Sequence, residues 1–92
     1  MADPDDQHLL LYHYVSDMAE RRGPHREAHL ERIRAEREAG HIAAAGAFDP
    51  PTGAAIVFTG VDRAHVEAFV SADPYRRAGL ITAWRVERWK LV

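Results

Sequence analysis

Apolar positions along the chain fall into six stretches whose spacing switches between strand-like and helix-like. Residues 8–15 (HLLLYHYV) are dense in aliphatic and aromatic side chains and stop at Ser16-Asp17. They are too few for a stable helix, so they predict a strand. Residues 24–39 carry the clearest helical spacing, with Pro24 in the first turn and Gly40 just past the end. At about 100° per residue, Arg26, Leu30, Ile33 and Arg37 share one side, and His29 sits beside Ile33 on that stripe. Glu27, Glu31, Arg34 and Glu38 lie largely away from it. Residues 41–48 are small and apolar, broken by Gly46, and predict a second strand. The segment Asp49-Pro50-Pro51-Thr52-Gly53 cannot continue a strand, and residues 54–59 (AAIVFT) return from it, which predicts a hairpin. Asp62 suits the N-cap of a second helix over 63 to about 72, with Val66, Phe69 and Val70 on its buried stripe. Asp73 is the next stripe position, seven residues after Val66, although Pro74 disfavours helical geometry there. Gly79 frees the chain to turn, and residues 80–91, containing Trp84 and Trp89, predict the last strand.

The order βαββαβ is the ferredoxin-like α+β plan with an antiparallel four-stranded sheet. Residues 1–7 read as a solvated, disordered tail and residues 8–92 as one domain. Two helices cover only one face of such a sheet. The first strand is nevertheless apolar on both, with Leu9, Leu11 and Val15 on one face and Leu10, Tyr12 and Tyr14 on the other. Ala55 and Val57 against Ile56 and Phe58 repeat the pattern. A sheet with one wet face alternates with polar residues. The expectation is therefore a homodimer packed through the second sheet face.

Composition narrows the function classes. There is no cysteine, which removes disulfides, thiolate catalysis and cysteine-ligated metal centres. A formal charge of −2, from 14 acidic and 12 basic residues, gives no general attraction to nucleic acid or anionic lipid. The third strand also lacks the basic and paired aromatic residues with which RNA-binding modules of this order stack bases. The acidic start has no signal-peptide character and no apolar run approaches about 20 residues, so a cytoplasmic location without a membrane span is expected.

His29 and Asp73 occupy positions where core residues belong. Burying a lone imidazole or carboxylate is costly, so two in one small domain are expected to face each other. A carboxylate fixes an imidazole's tautomer and stabilises its imidazolium, giving a base or acid usable near neutral pH. The alternative is a purely structural pair, for which Asp73→Asn would cost stability; an active-site pair would tolerate it. His25 and His29, at i and i+4, can chelate a metal, but no third ligand follows at a recognisable spacing, and His13 or His65 would join only through the fold. No metal or organic cofactor is therefore expected. Arg21, Arg22 and Arg26 cluster at the helix start and read either as solvated charge or, through Arg26 and Arg22, as a clamp for an anionic substrate beside His29. Tyr12, Tyr14, Trp84 and Trp89 read first as sheet and dimer packing, with Tyr14 also counted as a substrate contact. Ser71 has no evident base beside it.

Together these segments resemble the YCII-related family. The resemblance rests on Tyr14-Val15-x-Asp17-Met18, Arg22-x-Pro24-x-Arg26-x-x-His29-Leu30, Gly40 and Ala45-Gly46-Ala47. It continues through Ala68-Phe69-x-x-Ala72-Asp73-Pro74-Tyr75, Ala78-Gly79-Leu80, Trp84 and Trp89. It spans nearly everything after residue 8, and its most specific parts are the Arg-x-x-His-Leu and Asp-Pro-Tyr segments. It implies a dimeric α+β barrel and a His–Asp active-site pair, carried here by His29 and Asp73. Most such proteins have no established activity; one relative is a dehydrochlorinase of a chlorinated hydroxyhydroquinone, and the wider superfamily includes muconolactone isomerase and small monooxygenases. Phe48 departs from the proline many relatives carry at that point. The resulting expectation is a small enzyme moving protons, by isomerisation or elimination, on an anionic phenolic or lactone-like compound. The competing expectation is a non-catalytic ligand-binding or accessory module.

Overall fold

The computed structural model describes Asp3 and residues 5–92. Its elements are β1 (Gln7–Tyr14), α1 (Met18–Arg21), α2 (Gly23–Glu38), β2 (Ile42–Ala47), β3 (Gly53–Thr59), α3 (Arg63–Ala72), α4 (Pro74–Arg77) and β4 (Ile81–Arg88). The four strands form one antiparallel sheet in the order β2-β3-β1-β4. With the two long helices as crossovers, this is the ferredoxin-like α+β fold.

Strand β1 is central because its backbone is paired on both sides. Leu10 stands opposite Ile56 and Val86, and Tyr12 opposite Ala54 and Trp84. Cross-strand partners share a face. His8, Leu10, Tyr12 and Tyr14 are buried beneath the helices, while Leu9 and Leu11 are only half-buried on the face no helix covers. The core lies between the covered face and the helices, around Leu10, Phe58, Val66, Val70 and Leu80. Fully burying one such side chain contributes roughly 1.5–3 kcal/mol before entropy is counted.

Helix α3 begins as its N-cap predicts, with the Asp62 carboxylate accepting the His65 N–H at 2.9 Å. Its Phe69 meets Phe58 edge-on, with ring centroids 5.2 Å apart. Helix α2 lies alongside. Its contact stripe is rotated from the predicted one: His29 and Ile33 are buried, but Arg26 and Arg37 are exposed and Arg32 and Glu36 turn inward instead. The reason is chemical. Arg32 stacks over the Phe69 ring at 4.3 Å and donates to the Phe69 carbonyl at 2.9 Å, while Glu36 receives two histidines. A helix with few apolar residues thus docks through long side chains that have polar ends.

Several boundaries move. Gln7 already belongs to β1, so the strand begins one residue earlier than expected; residues 1, 2 and 4 of the expected tail lie outside the described residues. Strand β4 ends at Arg88 rather than at 91. Val15 does not share the Leu9 and Leu11 face, because β1 ends at Tyr14 after a register shift against β4. Two one-turn helices, α1 and α4, occupy segments too short to show helical periodicity.

Candidate functional site

Pro74 shapes the site. Its ring disfavours helical geometry at the preceding residue, and Asp73 takes φ −66° and ψ 126°, ending α3 at Ala72. Asp73 then caps α4, its Oδ1 accepting the Tyr75 N–H at 2.9 Å. The side chain is fully buried. His29, from the middle of α2, places Nδ1 at 2.9 Å from Asp73 Oδ1 and 3.1 Å from Oδ2. Tyr12, from β1, donates its hydroxyl to Oδ2 at 2.9 Å. Three elements thus supply three donors to one carboxylate, which compensates for its burial. With Nδ1 donating, Nε2 is the ring nitrogen left to accept a proton.

Tyr75 stacks on His29 with centroids 4.0 Å apart and planes 13° from parallel, which fixes the imidazole orientation. His29 and Tyr75 line a cavity of about 210 Å³ together with Tyr14, Leu30, Ile33, Arg22 and Arg26; Ala45, Gly46 and Ala47 of β2 and Ala54 and Ile56 of β3 complete it. The small β2 side chains leave this space open. The lining carries two guanidinium groups and no carboxylate, so it suits an anion.

The surrounding phenols are held neutral. Burial pushes Tyr12 far above the ordinary phenol range, reinforced by the charge of Asp73 and the hydrogen bond to it. Tyr14 is raised by burial and by Tyr75 and Asp73, with Arg22 opposing. Tyr75 is raised by burial, which Arg22 and Arg26 partly offset.

Of the residues singled out in the sequence, His29, Arg22, Arg26 and Tyr14 converge on the cavity, and Asp73 lies behind His29. His25 does not line it, and exposed Arg21 pairs with Asp17 at 3.4 Å. Two partners were not anticipated. Tyr12 reaches Asp73 only because β1 runs beneath it, and Tyr75 only because Asp73-Pro74 starts a new helical turn. A second polar cluster, Glu36, His41 and His65, lies toward the other end of α2.

The sequence model of the YCII-related domain matches residues 7–90, nearly the whole chain. The chain belongs to the YCII-related family. Among solved structures, this YCII-related protein is similar to 5-chloro-2-hydroxyhydroquinone dehydrochlorinase from Burkholderia phenoliruptrix in complex with 2,5-dihydroxybenzoquinone. The TM-score is 0.79 at 26% identity, covering 91% of this chain and 93% of that one. No curated protein sequence matches the YCII-related chain. Among the described residues no helix is long and apolar enough to cross a membrane.

Proposed function

We propose that the protein is a small-molecule enzyme in which His29 is the general base or acid and Asp73 orients it. Arg22 and Arg26 hold an anionic substrate, and Tyr14 forms part of its wall. The observation that carries this reading is the His29–Asp73 contact beside a cavity lined by two arginines and no acid. In this reading Nε2 takes a proton from a hydroxyl or an acidic carbon of the substrate. The negative charge that develops is met by the guanidinium groups of the cavity wall. In an isomerisation the imidazolium returns the proton to another atom. In an elimination the substrate expels a halide, and the imidazolium later passes its proton to water. The similarity to a dehydrochlorinase favours halogenated, hydroxylated aromatic compounds as the first class to test.

The test is turnover of such compounds, and of lactone-like acids, by the wild type and by His29→Gln. Turnover that falls at least about 100-fold in the variant supports the reading. Equal rates, or no turnover by the wild type across the panel, would overturn it. The competing structural role for the pair has one observation in its favour, since Asp73 also caps α4 and binds Tyr12. The two readings differ at Nε2: a structural histidine does not need it accessible.

The working unit in this reading is a homodimer joined through the helix-free sheet face. Leu9, Leu11, Ala55 and Val57 are half-buried there. Leu11, Phe48 and Ala83 line an apolar trough in which Phe48 remains 47% exposed. An uncovered apolar surface of this kind marks an association site.

A further inference from the structure

We infer that Glu36, His41 and His65 form a divalent-metal site, chemically suited to zinc, separate from the His29–Asp73 cavity. The three come from different segments, yet their ligand atoms lie within 4.8 Å of one another. Glu36 Oε2 accepts from His41 Nδ1 at 2.9 Å and from His65 Nε2 at 2.9 Å. The two rings meet edge to face, with centroids 4.9 Å apart.

Each ligand is held by a defined chain end. Helix α2 ends in a Schellman turn: Gly40 takes φ 81°, its N–H bonds the Arg37 carbonyl, and the His41 N–H bonds the Glu36 carbonyl at 2.8 Å. That turn sets His41 directly over Glu36. His65 is fixed at the start of α3, where its backbone N–H is bound by the Asp62 cap at 2.9 Å. The backbone positions of the cluster are therefore set by local hydrogen bonds that need no metal.

The donor set is two imidazoles and one carboxylate, the borderline-soft nitrogen and oxygen ligands that zinc accepts, with a fourth position left for water. Zinc–ligand bonds of about 2.0–2.1 Å space tetrahedral ligand atoms roughly 3.3 Å apart, so small side-chain rotations close the cluster on an ion. Each imidazole then carries its proton on its other ring nitrogen, and the metal replaces the two N–H bonds now made to Oε2. The side chains of His41, His65 and Glu36 are 34%, 33% and 22% exposed, which leaves an ion a route in from solvent. Glu36 is seven residues from His29, roughly 10 Å along the helix, so the site does not share ligands with the cavity. An ion here would tie the end of α2 to the start of α3.

The test is titration of tag-free, metal-depleted protein with Zn²⁺ by calorimetry and with Co²⁺ by visible absorption. The expected result is one ion per chain, a rise in melting temperature with excess zinc, and intense Co²⁺ bands of a four-coordinate site. His41→Gln and His65→Gln should each weaken binding at least about tenfold, with His25→Gln unchanged. No binding heat and no melting shift with excess zinc would overturn the inference, as would binding that survives both variants or is lost in His25→Gln. If either variant is unfolded by circular dichroism, anomalous scattering from a zinc-soaked wild-type crystal decides instead. A peak bonded to all three side chains supports the site, and a peak elsewhere alone overturns it.

Discussion

Asp73 shows how one carboxylate can serve two roles. It accepts from His29, Tyr12 and the Tyr75 backbone in a fully buried position. Asp73→Asn swaps one acceptor oxygen for a donor amide amid three donors, so at least one hydrogen bond is lost. The expected cost is about 1–3 kcal/mol by chemical denaturation. Contrary to the sequence-based expectation, that loss does not distinguish a structural from an active-site pair, because either the cap or the Tyr12 bond is lost in both cases. His29→Gln is the cleaner probe. Tyr12→Phe removes only one donor and should cost about 1 kcal/mol while leaving the His29 contact in place. Arg22→Gln and Arg26→Gln should raise KM for an anionic substrate and also lower kcat, since in the proposed reaction both groups hold the substrate and meet its developing charge. Asp73 drew notice in the sequence as a polar group on an apolar stripe, whereas Tyr12 was hidden because a tyrosine there also reads as ordinary packing.

At the level of elements, the turns decide as much as the strands and helices. Gly53 opens β3 where it pairs with β1, and a Cβ there would land on the Tyr12 carbonyl oxygen. Gly53→Ala is therefore expected to break that end of the β1–β3 ladder and cost upwards of about 2 kcal/mol, with the loss read from the denaturation midpoint. Gly40→Ala meets no neighbour but must adopt a left-handed backbone, so its cost should be nearer 1 kcal/mol. The main helices and strands were legible in the sequence because their apolar spacing persists for several turns or alternations. The one-turn helices α1 and α4 were not, since four residues show no period. The rotation of α2 escaped because Arg32 and Glu36 are polar by type, yet dock through a cation–π contact and a histidine pair that only neighbouring elements supply.

For the whole molecule, two outcomes follow. Tyr12 and Tyr14 have phenols raised above the ordinary value of about 10 by burial. The unfolded chain ionises them near that value while the folded one keeps them neutral. Their contribution is thus complete below about pH 10 and shrinks as pH rises beyond it. Absorbance near 295 nm should show these two titrating only as the fold melts. The helix-free sheet face gives the second outcome. Light scattering at micromolar concentration should report a dimer, and Leu11→Asp or Val57→Asp should yield a folded monomer. A wild-type monomer would remove the proposed sheet-to-sheet assembly.

The sequence by itself determined the order of the main strands and helices, the two apolar faces of β1 and the two polar residues set among apolar ones. Those features follow from local spacing and from the rule that buried polar groups need partners. The tertiary structure alone decided what those partners are. It brought Tyr12 beneath Asp73, stacked Tyr75 on His29, and gathered Glu36, His41 and His65 from separate segments. Apart from Glu36 and His41, which the turn at Gly40 joins locally, these contacts link residues whose separation along the chain carries no period, so only the packing of helices on the sheet could bring them together.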